Sequence, residues 1–336
     1  MEKLKRIFAV FFCLLLAAGI LGGCGKAASS SAPTLSASQS GSKPLKIVTT
    51  IFPEYDWVRE ILGDKADHAE VTMLLDNGVD LHSYQPTADD MIKISDCDLF
   101  IYVGGESDGW VEDALKEAAN QDMRVINLLD VLGEQVKEEE VVEGMEAEEE
   151  ESEDEDEPEY DEHVWLSLKN AETLCNAITD ALEEIDPANK DAYAANAASY
   201  LEKLAALDDE YQTVADNAAR KTVLFGDRFP FRYLVDDYGL SYYAAFAGCS
   251  AETEASFETI SFLAGKVDEL GLPCVLTIEG AQHKIAETIV RNTAEKNQSI
   301  LTLDSMQSTT STDVANGTTY LSVMESNLDV LKQALN

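Results

Sequence analysis

Short apolar runs alternate with amphipathic helical patterns along most of this chain. The runs KIVTTIF (46–52), AEVTMLL (69–75), DLFIYVGG (98–105) and RVINLLD (124–130) are rich in branched and aromatic residues. They are continuous rather than strictly alternating, which predicts strands of a parallel sheet buried on both faces. EYDWVREILG (54–63), TADDMIKIS (87–95) and GWVEDALKEAAN (109–120) read as the intervening helices, and a helix from about Leu166 to Glu184 closes this first unit. The stretch 186–220 is Ala-rich and free of breakers, with Asp186 as a plausible N-cap and Pro187 at a first helical position. Tyr193, Tyr200, Leu201, Leu204 and Leu207 form an apolar stripe along it. The strand pattern then restarts with TVLFGD (222–227), SYYAAFAG (241–248), CVLTIEG (274–280) and SILTLDS (299–305). Helices are expected around 229–238, 256–270, 283–295 and 318–335. The predicted fold class is α/β: two lobes, 45–185 and 221–336, each with a mostly parallel four-stranded sheet, joined by one long interlobe helix over 186–220.

Two segments stand outside this pattern. The N-terminus carries Lys3, Lys5 and Arg6, then an apolar run from Ile7 to Leu21, then Gly22-Gly23-Cys24. That layout predicts a signal peptide over 1–24 ending in a lipidated Cys24, with a Ser/Ala/Gly-rich flexible linker over 25–44. Acyl chains on Cys24 would tether the protein to a lipid membrane without spanning it. The second segment, 134–162, is dominated by Glu and Asp and is expected to be a disordered loop, because its charges repel and little in it is apolar.

Charge narrows the function. A formal net charge of −40, from 64 acidic against 24 basic residues, leaves nothing to neutralise phosphates, so no nucleic-acid partner is expected. It suits an extracytoplasmic protein or one that handles cations. Cys97, Cys175, Cys249 and Cys274 have no CxxC spacing, so a zinc–thiolate site is not expected and buried apolar roles are; a Cys249–Cys274 bridge stays open.

Ligands of open α/β sheets bind beyond the C-terminal ends of the strands. His82 follows the second strand, and His163 stands just ahead of a helix at the foot of the acidic run. The second-lobe strands end in Gly226-Asp227, Gly248, Glu279-Gly280 and Asp304. Imidazoles from one lobe facing carboxylates from the other suit zinc, and also manganese or iron. His68, His283 and Trp165 read as structural. There is neither an HExxH metalloprotease motif nor a nucleophile motif, so no enzyme is expected.

Taken together, these motifs resemble the solute-binding lipoproteins of bacterial zinc/manganese ABC importers. DLHSYQPTADDMIKISDCDLFIYVGG is similar to the family's first signature, DEHVWLSLKNA to its second, and DPANKDAYAANAASYLEKLAALD to its interlobe helix. The resemblance implies a divalent metal, Zn2+ or Mn2+, held between the lobes by His82, His163 and Asp304, and delivery to an ABC importer membrane permease, by a protein expected to be a monomer. It also implies a third ligand at the end of the first second-lobe strand, where this chain has Gly226. Glu279, Asp227 or water are the candidates to replace it, with Glu279 preferred for its reach. Arg228 would repel a dication unless a carboxylate intervenes. The acidic run occupies the place of a histidine-rich loop in many relatives, and is either a cation-collecting tether or a plain solvated insertion. Capture of a metal chelate, or a surface-adhesin role, are the alternatives to bare-metal capture.

Overall fold

The computed structural model describes residues 43–146, 159–250, 254–280 and 283–336. The predicted signal peptide with Cys24, nearly all of the linker, and the middle of the acidic run lie outside these residues.

The first sheet holds β1 (Leu45–Thr49), β2 (Ala69–Met73), β3 (Leu99–Tyr102) and β4 (Arg124–Asn127) in the order β2-β1-β3-β4. The second holds β5 (Thr222–Phe229), β6 (Ser241–Ala247), β7 (Cys274–Thr277) and β8 (Ser299–Thr302) in the order β6-β5-β7-β8. Every pairing is parallel, from Ile47 opposite Val71 and Leu99 to Leu276 opposite Phe225 and Leu301. The two sheets therefore have the same topology, and β2 and β6 occupy equivalent edge positions. The order reverses between β1 and β3, and again between β5 and β7, which opens a crevice at the strand C-termini of each lobe.

In the first lobe the helices are α1 (Phe52–Leu62), α2 (Ala88–Ser95), α3 (Val111–Lys116), α4 (Leu128–Leu132) and α5 (Leu168–Ile185). In the second they are α7 (Arg232–Asp237), α8 (Phe257–Leu270), α9 (Lys284–Asn292), α10 (Ser311–Ala315) and α11 (Tyr320–Ala334). The short α4 and α10 had no counterpart in the sequence pattern. Local chemistry sets the ends. Thr87 and Ser167 accept from the backbone N–H of Asp90 and Asn170, satisfying donors that the first helical turn leaves open. At α1, Glu54 does the equivalent from inside the helix, accepting from the N–H groups of Thr50 and Ile51 at 2.8 and 3.3 Å.

The long helix, α6, spans Lys190–Asn217. It starts later than the expected cap at Asp186, because Asp186 finishes α5. Its N–H donates to Leu182, while its carboxylate accepts from Asn189 Nδ2 and Tyr193 Oη, both at 2.7 Å, and Pro187 falls in the turn between the helices. Tyr193, Tyr200, Leu204, Leu207 and Tyr211 are buried along one face of α6 as the stripe predicts, and Leu201 is half-buried. The helix is also pinned to both lobes. Asn196 Nδ2 donates to Ile61 O of α1 at 3.0 Å, and Tyr211 Oη donates to Met324 O of α11 at 2.6 Å. One continuous apolar core runs from Trp57 and Phe100 through α6 to Phe225 and Tyr320, and a smaller cluster lies under α8 and α9.

The flanks of the acidic run differ from the disordered loop expected over 134–162. Residues 134–146 and 159–162 are placed, with Glu138 bridging antiparallel to Tyr160 and Glu146 bridging parallel to Phe246 on the edge of β6. Tyr233 of α7 accepts from Lys137 N at 3.1 Å and donates to Asp161 O at 2.7 Å. Arg232 pairs with Glu140, and Met145 is buried. The physical reason is that the flanks are not purely acidic. Lys137, Val142 and Met145 are interleaved among the carboxylates and give this arm something to pack. The arm covers an edge strand that would otherwise present open backbone groups.

Candidate metal centre

His82 lies in a single 3-10 turn, Leu81–Ser83, in the connection after β2. Asp80 caps that turn by accepting from His82 N at 3.1 Å. His163 precedes another such turn, Val164–Leu166, ahead of α5. It is fully buried, while 11% of the His82 side chain is exposed. The two rings are tilted at 58° to each other, with Nε2 to Nε2 at 3.1 Å.

The outer nitrogen of each ring is already engaged. His163 Nδ1 lies 2.9 Å from Asp161 Oδ1, which also accepts from His163 N at 2.9 Å. His82 Nδ1 lies 2.8 Å from Ser107 Oγ and 3.5 Å from Glu162 Oε2, an oxygen that is buried without a hydrogen bond. A carboxylate on Nδ1 fixes the tautomer with the proton on that nitrogen and presents Nε2 as a lone pair. Across the 3.1 Å gap the two Nε2 atoms can share a proton or a bound cation. A tetrahedral zinc ion, with bonds of about 2.0–2.1 Å, separates two imidazole nitrogens by roughly 3.3 Å. The electrostatics agree. Burial and then the neighbouring His163 push the pKa of His82 down to about 3. Burial also opposes a charge on His163, but Asp161 outweighs it and raises that pKa. The pair thus holds one positive charge comfortably and not two.

From the second lobe the metal-binding side chain beside this pair is a cysteine. Among the described residues, the only group of three metal-binding side chains is His82, His163 and Cys249, whose donor atoms all lie within 4.8 Å of one another. Cys249 sits two residues past β6, with its backbone N–H donating to Glu139 Oε1 at 3.1 Å. Gly248 makes the approach feasible, since a Cβ there would come within 2.9 Å of His163 Cε1. The available signal was positional. The connection after β6 is the counterpart of the one after β2 that carries His82. All four described cysteines are free thiols, so the Cys249–Cys274 bridge is not formed.

Asp304, Glu279 and Asp227 stand outside this three-donor group. Glu279, the preferred replacement, instead braces the loop after β8. Its two oxygens accept from Ser305 N at 2.7 Å, Ser305 Oγ at 2.8 Å and Gln307 N at 3.1 Å. Asp227 accepts from Arg228 N and Ile278 N at 3.0 and 3.4 Å. Asp304 accepts from Met306 N at 2.8 Å, and burial, with Glu279 next, raises its pKa to about 6. Gly226 faces helix α9, where a Cβ would lie 2.6 Å from Ala286 Cα, so no side chain fits there at all. Arg228 does meet an intervening carboxylate. Its Nη2 lies 2.6 Å from Asp80 Oδ2, an ion pair from the second lobe to the loop carrying His82, and its Nη1 donates to Ser250 O. Trp165 is core as expected, donating to Ser305 O at 2.8 Å.

Comparison with known proteins places this architecture. The family "ZnuA: Zinc-uptake complex component A periplasmic" matches residues 47–334. The high-affinity zinc uptake system protein ZnuA of Bacillus subtilis is 32% identical over 99% of this chain and 98% of its own length. The zinc-binding lipoprotein AdcA of Streptococcus pneumoniae is 33% identical over 86% of this chain, which spans only 55% of AdcA. The Zn(II)-bound ZnuA-like domain of that AdcA superposes with a TM-score of 0.67 at 30% identity, covering 87% of this chain and 99% of the domain. The metal-dependent lipoprotein YcdH of Bacillus subtilis gives a TM-score of 0.69 at 27% identity, covering 87% and 100%. With the family's features spanning both lobes and the connecting helix, this chain belongs to the ZnuA family of zinc-uptake component A proteins.

Proposed function

We propose that this protein captures a divalent transition metal, zinc, in the interlobe cleft and hands it to the permease of an ABC importer. The observation that carries this reading is the pair of imidazole Nε2 atoms facing each other at 3.1 Å, each ring oriented by a partner on its other nitrogen. That arrangement directs two nitrogen donors at a single point, where one zinc ion can bind both. The resemblance adds Asp304, whose carboxylate would have to turn from Met306 N to reach the cargo. An acylated Cys24 would hold the protein at the outer face of the cell membrane, within reach of the permease.

The test is calorimetric titration of metal-stripped protein with zinc and with manganese, followed by thermal melts. Tight one-to-one zinc binding is expected. A cargo that binds only the folded chain stabilises it by about 4 kcal/mol when present at a thousand times its Kd. No binding heat and no rise in Tm with saturating zinc at neutral pH would overturn the reading.

A further inference from the structure

We infer that Cys249 is the third protein ligand of the cargo, so that this chain grips its metal with two imidazoles and a thiolate where its relatives' position on β5 is closed. The inference rests on the zinc-capture reading and specifies its chemistry.

Three observations carry it. The Cys249 Sγ and the two imidazoles form the one three-donor group among the described residues. Gly248 removes the side chain that would hold the β6 connection away from His163. The strand end that should supply a ligand cannot, because Gly226 is packed against Ala286, while Glu279 and Asp227 spend their oxygens on backbone N–H groups. The second lobe has thus moved its contribution from the β5 end to the β6 connection. Arg228 and Glu139 hold that connection from either side, through Ser250 O and Cys249 N. In the binding step a metal–sulfur bond forms as the S–H proton leaves for bulk water, with no change in oxidation state. A thiolate is a soft ligand. It favours zinc over manganese, which prefers oxygen donors.

Cobalt(II) reports the bond directly, because a thiolate ligand gives a near-ultraviolet charge-transfer band that imidazole and carboxylate ligands do not. Metal-stripped protein is titrated with cobalt, and the bound cobalt is then displaced with zinc. The band is expected to saturate at one equivalent and vanish on adding zinc. Cys249→Ser should abolish it and weaken zinc binding by more than about 100-fold, beyond the 10–100-fold typical of groups that only orient a ligand, while changing manganese affinity much less. A readout needing no variant is alkylation of the native protein followed by mass spectrometry of the Cys249 peptide. Zinc should protect that thiol. Tight zinc binding with no band, no protection and an unchanged Cys249→Ser affinity would overturn the thiolate ligand and leave zinc capture standing. Absence of zinc binding by the unsubstituted protein would overturn both.

Discussion

The two lobes share one topology and meet the cleft in opposite ways. The first lobe presents a prepared pair: both imidazoles are buried or nearly so, each backed by a hydrogen-bonding group in the same lobe, Asp161 or Ser107. The second lobe has three carboxylates at strand ends, yet all three accept backbone N–H groups, and its approach to the pair is a cysteine on a flanking connection. Carboxylates at the ends of strands are as ready to brace the next loop as to face a ligand, since the loop's N–H groups also need partners. Imidazoles set back to back are much harder to explain as bracing.

The contrast can be broken most sharply on the first-lobe side. His163→Ala and His82→Ala should each weaken zinc binding by more than about 100-fold, exceeding the loss expected from an outer group. The fold should persist in His82→Ala, since that ring borders the cleft. Calorimetry with a parallel circular-dichroism spectrum checks both. If both variants bind zinc as the parent does, the pair is not the site.

Next in size is Asp161→Asn, expected to reduce zinc affinity by about 10–100-fold through loss of the carboxylate that fixes the His163 tautomer. An unchanged affinity would mean that His163 is oriented by packing alone, against Trp165 at 5.3 Å between ring centroids.

For the second-lobe carboxylates Glu279 and Asp227 the expected effects on zinc are small. Glu279→Gln should change zinc affinity by less than the 10-fold or more that orienting groups typically contribute. It should instead lower unfolding stability by about 1–3 kcal/mol, the usual cost of leaving a buried donor unpaired. Asp227→Asn should behave likewise with a smaller loss. A large drop in zinc affinity for Glu279→Gln, without destabilisation, would return that residue to the cleft.

The smallest effect on zinc, and a clear effect on the fold, belongs to the buried carboxylates of the first lobe. Burial, reinforced by Asp108, raises Glu54 to about 8, and burial raises Asp108 to about 7 and Asp56 to about 6. These groups stay protonated in the folded chain where the unfolded chain has ionised, so folding takes up protons. Their contribution is fully present below the ordinary carboxylate pKa of about 4 and is lost as pH rises through about 8. Denaturation curves across that window should show stability falling with pH, and Glu54→Gln should flatten the fall. A fall of the same size in the variant would assign the dependence to other groups.

Most of the fold was legible in the sequence for a simple reason. Continuous apolar strands bounded by Gly, Asp and Asn, alternating with capped helices, agree with one another at every level; six of the eight strands lie inside the predicted runs, while β1 starts one residue earlier at Leu45 and β5 runs two residues further to Phe229. His82 and His163 were legible because histidines are scarce here and fall beside helix starts. What was hidden is contact across the molecule. Nothing around Glu279 in the sequence announces that Ser305 and Gln307 will claim its oxygens from a neighbouring strand. Cys249 looks like one more small apolar residue until the fold brings the connection after β6 against His163. The placed flanks of the acidic run were hidden because the average charge conceals Val142 and Met145, which pack with the core, and Glu146, which bridges to Phe246.

The core that passes without interruption from the first lobe through α6 into the second also governs how the molecule comes apart. The larger apolar core draws on both halves and on Tyr200, Leu204 and Tyr211 of α6, and only the smaller cluster under α8 and α9 belongs to one half. Heating should therefore produce one calorimetric transition, with the van't Hoff and calorimetric enthalpies in agreement. Cargo bound by side chains of the cleft should shift that whole transition upward, so that a single ion sets the thermal lifetime of the entire folded chain.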